Sequence, residues 1–180
     1  DAAHPENREQ VDSNREKMRV SADYLMSLLN DVLQMSKLES GKTTLAHEPM
    51  DPYRMEEEIL TIVGQRAAES GVTLSFDEHS DQATDLWVYG SPIHLRQIFL
   101  NIYTNCIKYN KVGGSITTLI QMVEKDEKTV TYRWIISDTG IGMSEEFLEH
   151  IFDPFTQENT DARSVYQGAG LGMAIVKGLV

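Results

Sequence analysis

Asn101 and Asn105 stand four residues apart in a stretch that reads as helix, with Gln97 one turn earlier and Lys108 close by. That spacing gathers the polar side chains on one helical face. An asparagine carbonyl oxygen is a hard, neutral ligand that can complete a magnesium shell beside phosphate oxygens. A lysine supplies a point charge for phosphate. Alone, two helical asparagines serve equally well as caps or solvated groups. Two glycine-rich segments add to them. The buried-type run Trp134-Ile135-Ile136-Ser137 leads into Asp138-Thr139-Gly140-Ile141-Gly142-Met143. A carboxylate at a strand end can accept a hydrogen bond from an amino group, and the glycines allow backbone to approach closely. The plain alternative is a tight turn with a capping Asp. Gly168-Ala169-Gly170-Leu171-Gly172-Met173 precedes an apolar helix, where free amides can meet phosphate. It is not the dinucleotide fingerprint, because Met173 replaces the third glycine and no strand comes before it.

Other chemistry is excluded. Gly41-Lys42-Thr43 resembles the end of a P-loop, but Ser36 stands where that motif needs its first glycine, and a helix precedes it. His4, His47, His79, His94 and His150 show no metal-ligand spacing, and one cysteine offers no pair for zinc. Cys106 has no evident base and reads as a small buried thiol.

These residues need a frame. Residues 6–40 lack Gly and Pro and read as one long helix. Val11, Met18, Leu25 and Val32 follow one heptad register, and Leu28 and Met35 the other, a stripe suited to a helical partner. Gly41 is its expected C-terminal cap. A short strand is expected over 43–50. Asp51-Pro52 opens a helix to about Ser70, with Met55, Ile59, Ile62 and Val63 inward and Gly71 ending it. Strands are expected over 72–76 and 86–89. Ser91-Pro92 starts the asparagine-bearing helix, which runs to Asn110 and closes at Gly113-Gly114. Residues 115–124 and 129–137 read as a hairpin. A short helix near 144–150 and a last helix over 171–180 complete the pattern.

Composition fits one domain with an appendage: 180 residues, 41% hydrophobic, net charge −12. A surface this acidic repels nucleic acid and anionic membranes, so any phosphate must be held locally. No apolar run reaches the roughly 20 residues of a membrane helix. With one cysteine there is no internal disulfide.

The order of the motifs is specific where each alone is weak. The segment Gln97-Ile98-Phe99-Leu100-Asn101-Ile102-Tyr103-Thr104-Asn105-Cys106-Ile107-Lys108-Tyr109 resembles the asparagine box of the ATPase domain shared by histidine kinases, gyrase, heat-shock chaperones and mismatch-repair proteins. Asp138 to Gly142 resembles the first glycine box of that domain. Phe152-Asp153-Pro154-Phe155-Thr156-Gln157 resembles the phenylalanine box of the histidine kinases, and Gly168 to Gly172 the second glycine box. Leu33 to Lys42 resembles the end of the second helix of the dimerisation hairpin in sensor histidine kinases.

The resemblance implies an α+β fold, a two-layer α/β sandwich of the Bergerat (GHKL) type preceded by a long helix. Residues 1–42 would be the second hairpin helix and linker, and 43–180 the ATP-binding catalytic domain without its last strands. ATP and magnesium are the implied cofactors. Asp138 would bind the adenine amino group, and Gly140, Gly142 and Met143 would line the base. Asn105, Asn101 or both would hold magnesium. Lys108 and Tyr109 would face phosphate and nucleotide. The stretch from Phe152 to Gly170, including Phe155, would be the ATP lid, with Arg163 a phosphate contact. Gly168, Gly170, Leu171 and Gly172 would meet the phosphates.

The implied activity is transfer of the ATP γ-phosphate to a histidine, for relay to a response regulator receiver domain. The implied partners are a second copy, through the N-terminal helix in the intact kinase, and that receiver domain. No nucleic acid or membrane contact is expected. The implied location is cytoplasmic, whether or not the parent is anchored in the inner membrane or is a hybrid kinase. His4 does not match the acceptor setting, and Ala169 stands where Thr or Ser is frequent. The chain is therefore expected not to phosphorylate itself alone. Two alternatives remain: a hydrolase of the gyrase or chaperone branch, and a non-enzymatic nucleotide-binding dimerisation module. Hydrolases place a glutamate where Asn101 stands, and an amide is a poor base.

Overall fold

The structure, a computed structural model, describes residues 5–77, 87–158 and 168–180. The first helix, α1 (Pro5–Glu39), ends as expected at Gly41, whose φ of 63° lies in the left-handed region that glycine adopts without strain. The amide of Lys42 donates to the Lys37 carbonyl at 3.0 Å and closes the last turn.

Strand β1 (Glu48–Met50) is shorter than the run expected over 43–50. Upstream of it the Ala46 amide donates to the Ser91 hydroxyl, not to a ladder partner. Helix α2 (Pro52–Glu69) starts at Asp51, whose carboxylate accepts from the amides of Tyr53 and Arg54. Its stripe of Met55, Ile59, Val63 and Ala67 is buried. Ile62 is not inward as expected: at the margin of that stripe it is 56% exposed. Glu56 takes an interior position instead.

Strands β2 (Thr73–Asp77) and β3 (Val88–Gly90) follow. Helix α3 (Pro92–Lys108) stops two residues before the expected Asn110, because Tyr109 serves as its C-cap. Ser91 precedes it without capping it, since its hydroxyl is engaged by His94 Nδ1 and the Ala46 amide. Strands β4 (Ser115–Lys125) and β5 (Val130–Asp138) form the expected hairpin, turned at Asp126. Helices α4 (Glu145–Leu148) and α5 (Gly172–Leu179) complete the chain.

The strands form a mixed sheet in the order β2-β4-β5, with β2 parallel and β5 antiparallel to β4, and a separate antiparallel pair of β1 with β3. Helices α2, α3 and α5 supply the second layer. Between the layers lie Met55, Ile59, Val63, Phe99, Tyr103, Ile107 and Ile116. This is the α+β two-layer sandwich with a leading helix that the motif order implied.

The long helix, whose heptad stripe suits a helical partner, does not stand wholly apart from the sandwich: its C-terminal end packs on α5. There a Cβ on Gly178 would lie 3.1 Å from the Leu38 side chain. Gln34 also exchanges side-chain hydrogen bonds with Gln97 of α3. Further up, Val11, Met18, Leu25 and Val32 are exposed, so most of the apolar stripe is uncovered.

Candidate functional site

Helix α3 buries Ile98, Phe99, Tyr103 and Ile107 on its inner face. That leaves Asn101, Asn105 and Lys108 half-buried. The chain then turns back so that the second glycine box lies against this helix. A Cβ on Gly168 would come within 2.8 Å of Lys108 Nζ, and one on Gly172 would lie 3.5 Å from Asn101 Oδ1. The two segments, 60 to 71 residues apart in sequence at these contacts, thus share one site. The Asn101 amide nitrogen is buried there with no hydrogen-bond partner among the described residues. Lys108 donates to the Tyr109 hydroxyl at 2.9 Å, and its ammonium sits 4.6 Å from that ring's centroid.

The first glycine box is bound to the end of the same helix. The Ile141 amide donates to the Tyr109 carbonyl at 3.0 Å. Asp138 accepts from the Gly140 amide at 2.7 Å, and its side chain is otherwise exposed. A Cβ on Gly140 would lie 2.6 Å from both Asp138 Oδ1 and the Tyr109 carbonyl oxygen, so only glycine fits. Burial pushes the Cys106 thiol up to about 12, and the neighbouring Asp138 carboxylate adds to that. The thiol is therefore inert and carries no nucleophilic role. Gly142, with φ at 70°, and Met143 line an open depression together with Ile141, Ser144 and Glu158. Sequence reasoning missed Glu158, which accepts from the Ser144 amide at 2.9 Å; a lone glutamate after the phenylalanine box carries no local signal.

The phenylalanine box meets the second glycine box. The Phe155 amide donates to the Gly170 carbonyl at 3.1 Å, and the Gln157 side chain donates to the Gly168 carbonyl. Phe155 has φ of 62°, unusual for a side-chain-bearing residue, and Gly170 has φ of 70°. Leu171 is fully buried, so it anchors the start of α5 rather than presenting its side chain to a ligand. Arg163, the middle of the expected lid, His4 and His79 lie outside the described residues.

Residues 90–180 match the family described as histidine kinase-, DNA gyrase B-, and HSP90-like ATPase. The chain belongs to that family. Its similarity to the hybrid signal transduction protein dokA of Dictyostelium discoideum is 33% identity over 167 residues, covering 93% of this chain and 10% of that protein. With the autoinducer 2 sensor kinase/phosphatase LuxQ of Vibrio vulnificus it shares 32% identity over 161 residues, 89% of this chain and 18% of that protein. The chain thus spans less than a fifth of either relative. Among solved structures, full-length ShkA in complex with AMPPNP superposes with a TM-score of 0.75 at 28% identity, over 98% of this chain and 34% of that one.

Within this ATPase family member, the side chains fit a magnesium-bound nucleotide. The donor set is neutral amide oxygens plus one lysine, suited to a hard cation shared with phosphate. The unpartnered Asn101 Nδ2 is a donor that a phosphate oxygen would satisfy, and glycine backbone without side chains packs against Asn101 at Gly172 and against Lys108 at Gly168.

Proposed function

We propose that this chain is the ATP-binding catalytic core of a sensor histidine kinase, and that it passes the γ-phosphate to a histidine on a dimerisation hairpin. The supporting observation is the meeting of Asn101 and Lys108 with Gly172 and Gly168. It sets an amide ligand and a cation beside backbone amides at a helix start, and α5 is eight residues long. Asn101 and Asn105 would hold magnesium, which when bound would neutralise charge on the phosphate oxygens. Lys108 would add a cation on the same face. Asp138 would accept from the adenine amino group, with its carboxylate oriented by the Gly140 amide. Gly140, Gly142 and Met143 would line the base.

Residues 1–42 fit the second hairpin helix and its linker, and residues 43–180 the catalytic domain. The uncovered stripe of α1 would pair with the first hairpin helix and a second copy. A response regulator receiver domain would take the phosphoryl group onward. Among the described residues no helix is long and apolar enough to cross a membrane. Phosphoryl transfer needs donor, metal and an in-line acceptor together. The test is incubation with labelled ATP, with and without a separately supplied hairpin carrying its histidine. Acid-labile label on the hairpin alone is expected. Stoichiometric release of inorganic phosphate without any label would favour a hydrolase instead.

A further inference from the structure

Tyr103 lies between the two asparagines in sequence and opposite them in space. At 3.6 residues per turn it stands about 160° around the helix from each of them. Its side chain is fully buried, and its hydroxyl donates to the Glu56 carboxylate of α2 while also bonding Thr118 Oγ1 of β4. Glu56 and Thr118 are themselves fully buried. Three elements are thus joined at one point beneath the centre of α3.

Stability does not account for this cluster. A buried carboxylate is costly unless fully satisfied, and apolar residues of similar volume usually serve as well or better. Here, among the described residues, Glu56 Oε2 accepts no well-formed hydrogen bond: the neighbouring Trp134 indole N–H pulls on the carboxyl without reaching good geometry. What the cluster adds is direction. Apolar contacts around Phe99 and Ile107 resist separation of the layers, but they are non-directional and constrain rotation and sliding of α3 weakly. A hydroxyl that donates to one neighbouring element and accepts from another fixes both motions. Because Asn101 and Asn105 sit on the opposite side, a small rotation about the helix axis would swing both amides relative to Gly172 and Gly168.

We propose that Tyr103, Glu56 and Thr118 form a positioning lock that holds the asparagine face of α3 in register for nucleotide. None of the three is a catalytic residue. The inference rests on the reading that nucleotide binds on the Asn101–Asn105 face, so Asn105→Ala is measured alongside.

Magnesium-ATP affinity is measured by calorimetry on the whole chain, below the melting point of each variant, with folding checked by circular dichroism. Glu56→Gln keeps the acceptor for Tyr103 and is expected to bind within about twofold of the parent. Tyr103→Phe and Glu56→Leu are expected to bind roughly tenfold more weakly, because sub-ångström misplacement of ligand-holding groups is transmitted to binding. Their Asn101 and Asn105 side-chain amide NMR signals should shift relative to the parent and to Glu56→Gln. A purely structural role would change melting temperature without separating Gln from Leu in affinity. Folded Tyr103→Phe with parental affinity overturns the lock. If Tyr103→Phe does not fold, Thr118→Val decides in its place: a fall of about threefold or more supports the lock, and parental affinity overturns it. If Asn105→Ala also binds like the parent, the site reading fails and takes the lock with it.

Discussion

Gly140 and Gly142 offer a matched pair of substitutions that separate two reasons for glycine. At Gly140 the backbone is not in the left-handed region, so alanine would carry no conformational penalty. Its Cβ would nevertheless lie 2.6 Å from the Tyr109 carbonyl oxygen and from Asp138 Oδ1, below the 3.0 Å at which something must move. Forced overpacking costs about 1–3 kcal/mol. The displacement also strains the Gly140–Asp138 and Ile141–Tyr109 hydrogen bonds, each worth about 1 kcal/mol. Some relief will come from small shifts of the turn, so a loss of about 2–4 kcal/mol is expected. If it falls on the adenine side of the site, Gly140→Ala should weaken ATP binding roughly 30- to 1,000-fold. At Gly142 the situation is reversed: φ is 70°, but a Cβ would meet nothing within 4 Å among the described residues. Gly142→Ala should cost only the left-handed penalty of about 1 kcal/mol, or roughly fivefold in affinity. Calorimetric titration with magnesium-ATP and thermal melts without it would measure both variants. Equal effects, or a larger loss at Gly142, would refute the close-approach argument.

Three further outcomes are expected. Burial raises the Glu56 carboxyl above its usual 4.5, against a smaller downward pull from the Tyr103 hydroxyl and the Trp134 indole. A raised carboxyl favours the folded state at low pH, and that contribution is lost as pH rises from 4.5 through the folded-state value. The melting temperature of Glu56→Gln relative to the parent should therefore climb with pH over that window; a flat difference would contradict it. Cys106, held near 12, should resist alkylation at neutral pH in the folded chain and react on unfolding; rapid native labelling would contradict its inertness. The exposed Val11, Met18, Leu25 and Val32 stripe should drive association, seen as a concentration-dependent mass in sedimentation, and Leu25→Lys with Val32→Lys should abolish it.

Much of the frame is legible in sequence because its signals are local. Asp51-Pro52 and Gly71 bracket α2, and the alternating run from Ser115 to Asp138 yields the hairpin to within a residue. The glycine and asparagine boxes are equally local, so the candidate site residues could be named from their order. What could not be read were contacts set by the tertiary fold. Glu56 looks like a solvated glutamate in a run of three, yet it falls on the buried stripe of α2. Ser91 looks like a helix cap, yet its hydroxyl serves His94 and Ala46. The docking of Leu38 on Gly178 joins residues 140 apart, which no periodicity reveals. The shortened β1 follows the same rule, since its upstream amide is taken by a side chain of another segment.

The central claim is that this chain holds adenine at Asp138 and phosphate at the face of α3. Titration calorimetry of the parent and Asp138→Asn with magnesium-ATP and magnesium-GTP tests it most directly. A carboxylate suits the amino group of adenine and repels the carbonyl that guanine carries there. The account predicts ATP binding by the parent, no measurable GTP binding, and a loss of about 1.5–3 kcal/mol for ATP in Asp138→Asn, the worth of a hydrogen bond to a charged group. Equal ATP affinity in the two proteins, or equal binding of ATP and GTP by the parent, would contradict it.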